Sequence, residues 1–161
     1  MRRASILRVK WRERTAFFLP ALLVVALDQL SKFLVRANMS LGQSIPSDGI
    51  VRLTYVSNTG GVFGLFAGHT LALILVSAAG IVVILFCYYY LASQRRLLSV
   101  GLGLILGGAI GNMVDRLCFG YVTDFIDIRI WPVFNLADSA GVVGVGIIVY
   151  FLLFSAKEKK G

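Results

Sequence analysis

The chain has 161 residues, a formal charge of +8 and 58% hydrophobic residues, with a mean hydropathy of +0.83. A soluble domain of this size is usually about half apolar; here the excess falls in blocks long enough to cross a bilayer, which excludes an ordinary soluble core. The Lys and Arg residues crowd beside those blocks instead of lining one face of a folded domain, which excludes nucleic acid as the partner.

In chain order, residues 1–14 carry Arg2, Arg3, Arg8, Lys10, Arg12 and Arg14 and read as a basic cytoplasmic tail. A single four-span membrane domain follows over 15–156, with spans at about 15–36, 70–92, 97–116 and 138–155, each near the roughly 20 residues a crossing needs. Residues 157–161 form a second basic tail. Arg95 and Arg96 lie between the second and third spans, whereas the loops at 37–69 and 117–137 carry few cations. This asymmetry places both termini and the 93–96 loop in the cytoplasm and the other two loops outside. The first apolar run continues through Phe33, Leu34 and Val35, longer than a cleaved leader requires, so it reads as an uncleaved span.

The first span is apolar until Asp28, about 20 Å along the helix from Thr15. Lys32 follows at i+4 on the same face, which predicts an ion pair facing the protein interior, because lipid exposure of either charge costs several kcal/mol. Residues 50–56, IVRLTYV, read as a short outer strand. SNTGG then reads as a turn, and the apolar run at 62–68 as a short surface helix. The third span carries Gly103, Gly107 and Gly111 at four-residue spacing, a stripe that lets another helix approach closely. It ends with Asn112, Asp115 and Arg116, of which Asn112 and Arg116 share a face. Asp138 opens the fourth span, where the helix dipole favours an anion. The expected fold is thus an all-α integral membrane protein of four transmembrane helices, with a small outer β element and a short surface helix.

The chain has eight acidic residues, and Asp124, Asp127 and Asp138 all fall in the segment 120–141. Asp28, Lys32, Asn58, Asn112, Asp115, Arg116, Asp124, Asp127, Asn135 and Asp138 all map to one side of the membrane, which places a site at the membrane–water boundary. A Ser-His-Asp triad would rest on the single histidine, His69, at the start of the second span. Ser31 and Lys32 are adjacent and so point about 100° apart on a helix, which argues against a Ser-Lys dyad. Cys87 and Cys118 are isolated thiols, and no ligand cluster for a metal is evident. Paired aspartates remain. Two close carboxylates retain one proton between them, so the ionised partner takes a proton from water while the other donates one. By spacing alone the pair is drawn from Asp115, Asp124, Asp127 and Asp138. Intramembrane carboxylates also serve proton-coupled carriers, and a relay of Asp28, Lys32 and Asp115 is the alternative reading.

The ordered motifs LDQLSK (27–32), NTGGVFG (58–64), GGAIGNMVDRL (107–117), GYVTDFID (120–127) and FNLADS (134–139) resemble those of the lipoprotein signal peptidases, the type II signal peptidases of bacteria. The resemblance implies an inner-membrane aspartic endopeptidase that needs no cofactor or metal. It implies removal of the signal peptide from prolipoproteins, just before a cysteine carrying diacylglycerol, at an active site on the extracytoplasmic side. It assigns the catalytic pair to Asp124 and Asp138. Asp28, Lys32, Asn58, Asn112, Arg116 and Asn135 become substrate-binding or supporting residues. Asp115 is expected to be structural, fixing Arg116, and Asp127 to be a loop carboxylate. Lipid-modified prolipoproteins, membrane lipid and globomycin-type inhibitors are the implied partners of a monomer. Asp124 and Asp138 stand fourteen residues apart, so the segment between them must fold back, with Trp131 and Pro132 expected to turn it.

Overall fold

The computed structural model describes residues 2–60, 69–92 and 95–155. Four helices dominate: α1 (Arg2–Asn38), α2 (Thr70–Cys87, continued by a π-helical turn at Tyr88–Ala92), α3 (Arg96–Phe119) and α4 (Leu136–Ser155). The stretches Arg14–Asn38, Thr70–Leu91, Arg96–Phe119 and Leu136–Phe154 are each long and apolar enough to cross a membrane, close to the spans expected from hydropathy. The outer surfaces of these helices present Phe18, Leu22, Leu75, Val82, Val142 and Leu152. Such a surface suits hydrocarbon, in which helices satisfy every backbone group internally.

Helix α3 is the central element, and its small residues explain why. A Cβ at Gly103 would collide with the backbone oxygen of Phe17, and one at Gly107 would lie 2.7 Å from the Ala21 oxygen. On the opposite side, a Cβ at Gly108 would strike the Ala137 oxygen, and one at Gly101 would come within 3.0 Å of the Gly144 oxygen. The glycine stripe therefore lets α1 dock on one side of α3 while further glycines receive α4 on the other. Below the polar end, Phe17, Ala21, Leu98, Leu102 and Leu106 form a buried apolar cluster. Helix α2 buries no residue of its own. It leans on that cluster through Ile81, Ile84, Cys87 and Tyr88, with Tyr88 stacked on Phe17 at 3.8 Å between ring centroids.

At one end of the bundle sits a three-stranded antiparallel sheet, β1 (Ser44–Ile45), β2 (Arg52–Asn58) and β3 (Val122–Asp127), in that order. The strand expected at 50–56 is β2, displaced by two residues. Strand β3 was expected to be an outer loop; it pairs Val56 with Asp124 and Asn58 with Val122. It is anchored to the bundle by Asp115, whose Oδ2 accepts from the Thr123 backbone N–H at 2.8 Å. Beneath the sheet, Val35, Tyr55 and Phe125 make a second small core. Tyr55 donates to or accepts from the Tyr121 hydroxyl at 3.3 Å, and desolvation by burial pushes its phenol up to about 12. The surface helix expected at 62–68 and the tail at 157–161 lie outside the described residues.

The chain reverses after β3 as the fourteen-residue spacing demands. The reversal begins ahead of Trp131 and Pro132: Asp127 Oδ1 accepts from the Arg129 N–H at 2.9 Å, and Arg129 adopts a left-handed φ of 67°. Phe134 then lies antiparallel to Ile126, exchanging hydrogen bonds of 2.7 and 3.0 Å. That return strand delivers Asn135 beside Asp124.

Candidate active site

The N-terminus of α4 is built as a capping box. Asn135, just before the helix, accepts on Oδ1 from the Asp138 N–H at 2.9 Å, and Asp138 Oδ2 accepts from the Asn135 N–H at 3.2 Å. This reciprocity fixes the Asn135 amide so that its Nδ2 points away from the helix. It donates to Asp124 Oδ1 at 2.7 Å and to Asn112 Oδ1 at 3.0 Å. Asn112 in turn donates from Nδ2 to Asp138 Oδ1 at 2.8 Å. Asn58, at the end of β2, donates to Asp124 Oδ2 at 2.8 Å, and its own Oδ1 accepts from the Gly60 N–H at 3.1 Å. Two carboxylates from β3 and α4 are thus held by three asparagines from β2, α3 and the α4 cap.

Behind the asparagines lies a charged layer contributed by α1. Lys32 and Asp28 are both fully buried and meet at 2.9 Å, the i, i+4 pair expected. Lys32 Nζ also donates to Asn112 Oδ1 at 2.8 Å and lies 3.4 Å from Asp115 Oδ2. Asp28 Oδ1 accepts from the Ala137 N–H at 3.0 Å, so a carboxylate on α1 caps the first turn of α4. Its Oδ2 occupies the space where Gly111 lacks a Cβ, 2.5 Å from that position. The expectation that Asp115 fixes Arg116 is corrected here. The partners of Asp115 are Lys32, Arg36 (3.5 Å), Gln29 (3.2 Å) and the Thr123 N–H. Asp115 and Arg116 are sequential, so they leave the helix in different directions; Asp115 faces α1 and β3 while Arg116 faces a cavity. Asp127 is corrected too: it ends β3, opposite Arg52, whose Nη2 and Nε donate to its Oδ2 at 2.6 and 2.8 Å. The Arg129 N–H bond, then Arg52, hold its carboxyl below the usual range.

The cavity has a volume of about 600 Å³ and lies between α3, α4 and the outer segments. Asn58, Asn112, Arg116, Asp124 and Asp138 border its polar end. Its remaining wall is largely apolar, with Ile105, Ala109, Val142 and Val145 on the spans and Trp131 to Phe134 on the return segment. Asp124 is only 2% exposed. Desolvation raises its carboxyl from 3.8 to about 6, against the Asn58 hydrogen bond and with help from the negative Asp138. The buried Arg116 Nε has no hydrogen-bond partner within the protein, leaving a guanidinium donor beside the two carboxylates. His69 stands at the N-terminus of α2 and does not border the cavity. Among the described residues, no three His, Cys, Asp or Glu side chains converge as metal ligands.

All eight residues expected to carry or support the site are therefore brought together, whereas Asp127 stands apart. Sequence reasoning missed Gln29, Arg36 and Thr123. Arg36 donates to Thr123 Oγ1 at 2.8 Å and lies over the Phe119 ring at 4.4 Å. A signal was present for Arg36, since Asp28, Lys32 and Arg36 recur every fourth residue.

Fold and site together define a four-span membrane protein with a two-carboxylate centre at one end of its bundle. Over residues 20–154 the chain matches the family model described as signal peptidase (SPase) II. It is 51% identical over 144 residues to the lipoprotein signal peptidase of Moorella thermoacetica, covering 89% of this chain and 96% of that one. Against the lipoprotein signal peptidase of Bacillus subtilis it is 44% identical over 150 residues, covering 89% and 97%. A bacterial membrane enzyme solved by the in meso method at 2.3 Å superposes with a TM-score of 0.82 at 30% identity, covering 88% of this chain and 90% of that one. The chain belongs to the signal peptidase II family, the lipoprotein signal peptidases. A carrier built on Asp28, Lys32 and Asp115 finds no support: these residues form a closed ion cluster within a peptidase.

Proposed function

We propose that this signal peptidase II removes the signal peptide of bacterial prolipoproteins at an Asp124–Asp138 dyad, cleaving just before the lipid-modified cysteine. The observation that carries the reading is Asn135. One amide links both carboxylates at the edge of one cavity, through its Nδ2 to Asp124 and through the capping box to Asp138. Charge balance supports a single proton on the pair. Asp28, Asp115, Asp124 and Asp138 face Lys32, Arg36 and Arg116, so one proton among four carboxylates neutralises the buried layer. Asp124, raised to about 6, holds that proton. Asp138 lies in the first turn of α4, where the helix dipole favours the anion.

The chemistry then follows the two-aspartate pattern. Ionised Asp138 takes a proton from a water, whose oxygen attacks the scissile carbonyl carbon. Protonated Asp124 donates to the carbonyl oxygen. The tetrahedral intermediate collapses as the C–N bond breaks, with the proton on Asp138 passing to the leaving amine and the hydroxyl proton returning to Asp124. Arg116 offers its guanidinium to the substrate backbone. Asn58, Asn112 and Asn135 hold the carboxylates, and Asp28 and Lys32 support them from behind.

The charge asymmetry supports cytoplasmic termini and a site on the outer side of the bacterial inner membrane. The protein acts as a monomer on lipid-anchored substrates within the bilayer, and globomycin-type inhibitors occupy the same cavity. Asp124→Asn and Asp138→Asn are each expected to abolish the mobility shift of a diacylglyceryl-modified prolipoprotein, as globomycin does to the wild type. Cleavage by either variant at near wild-type rate overturns the dyad.

A further inference from the structure

Most of the helical glycines described above are packed. A Cβ at Gly101, Gly103, Gly107, Gly108, Gly111 or Gly144 would meet another helix at 3.0 Å or less. Gly141 is different: a Cβ there meets nothing within 4 Å, yet the residue borders the cavity. Gly80 and Gly146 also have open space, but neither borders the cavity. Packing thus accounts for the glycines that touch a neighbour and leaves Gly141 without a reason inside the folded protein. Its place supplies one. It follows Asp138 by three residues on α4, so it lies about 4.5 Å further down the helix axis on the same side. Facing it across the cavity are Ile105 and Ala109 of α3, and Val145 continues the wall below.

We infer that Gly141 is a specificity-determining residue, whose missing side chain makes room for the side chain of the substrate residue immediately before the cleaved bond. The inference rests on the dyad reading. A peptide residue spans at most about 3.8 Å between Cα atoms, so the residue beside a bond held at Asp138 falls within reach of Gly141. The acyl chains are joined through the cysteine side chain on the other side of that bond, several bonds further from the dyad. The peptide residue is therefore the occupant closest to this gap. With little room beside a small-residue wall, the pocket takes a small side chain and refuses a large one, the size discrimination that a methylene-scale change in an apolar pocket provides.

The test uses the full-length enzyme in detergent with a matched set of diacylglyceryl prolipoproteins. These carry Gly, Ala or Ser before the cleaved bond, each with short or long acyl chains. Gly141→Ala and Gly141→Leu should keep a thermal midpoint at or above wild type, because the new atoms enter open space and glycine is a poor helix former. Gly141→Leu should lower kcat/KM for the Ala and Ser substrates at least tenfold and for the Gly substrate less than threefold, whatever the acyl length. Gly141→Ala should show the same order with smaller losses. Equal loss on all three residues, loss that tracks acyl length, no loss, or a lowered thermal midpoint in both variants overturns the assignment. The dyad reading fails separately, if Asp124→Asn still cleaves the Gly substrate.

Discussion

Asp124→Asn should do more than stop cleavage; it should reverse its effect on stability with pH. Moving a carboxyl from 3.8 in the unfolded chain to about 6 in the folded protein corresponds to about 3 kcal/mol of differential interaction. Between those values the folded protein holds more protons than the unfolded chain, so its stability falls as pH rises through the window and stays reduced above it. With the residue 2% exposed, solvent screens little of this. An asparagine carries no charge and removes the whole cost at pH 7.5. It also has one acceptor oxygen where the aspartate offers two, to Asn58 and to Asn135. One of those amides loses its partner, at about 1–2 kcal/mol. The variant should therefore be about 1–2 kcal/mol more stable than wild type at pH 7.5, or about 2–8 °C in thermal midpoint. At pH 4 only about 0.5 kcal/mol of charge cost remains, so the hydrogen-bond loss dominates and the variant becomes the less stable protein. Thermal unfolding of both proteins in the same detergent at the two pH values measures this, with gel-shift activity alongside. A variant that is less stable by the same margin at both pH values refutes the claim that Asp124 is held as a costly anion.

Asn58→Ala removes a hydrogen bond that favours ionised Asp124, so the carboxyl keeps its proton to higher pH. The alkaline limb of the kcat/KM profile should move upward, and an unmoved limb would disconnect Asn58 from the reacting proton. Gly111→Ala places a Cβ 2.5 Å from Asp28 Oδ2, forcing that carboxylate off the α4 cap. A loss of about 1–3 kcal/mol and at least tenfold in kcat should follow in unfolding and cleavage assays, and a neutral result would mean that Asp28 does not hold α4. Asp127→Asn should leave kcat near wild type while lowering the thermal midpoint at neutral pH, because its carboxyl is held low by Arg129 N–H and Arg52. That loss should shrink as acid protonates the wild-type carboxylate, and an inactive, well-folded variant would return Asp127 to the chemistry.

Periodicity carried the reading far along the helices. Asp28 with Lys32 and Asn112 with Arg116 are four residues apart, and helix geometry alone placed each pair on one face. The spans were readable because hydrocarbon demands long apolar runs. What the chain order concealed was pairing at long range. Residues 122–127 contain Val122, Thr123, Phe125 and Ile126, a fair strand composition, but the acidic Asp124 and Asp127 made the segment read as a loop. Asp115 was misassigned for a related reason. Its partners Gln29, Lys32 and Arg36 lie some eighty residues away on α1, and no local rule reaches them. Choosing Asp124 and Asp138 from four aspartates likewise needed family motifs, since spacing gave no preference.

The position of Asn135 has a consequence for how the enzyme comes into being. Its amide and its cap gather groups from β2, α3, β3 and α4, and the last of these belongs to the final span to leave the ribosome. Synthesis runs from the N-terminus, so a chain with three spans in the bilayer has Asp124 but neither its partner carboxylate nor the amide that orients both. The protease is therefore born latent. It acquires hydrolytic competence in one step, when α4 inserts and Asp28 of the first span seats its leading turn, and no partly integrated chain carries a working blade among its neighbours in the membrane.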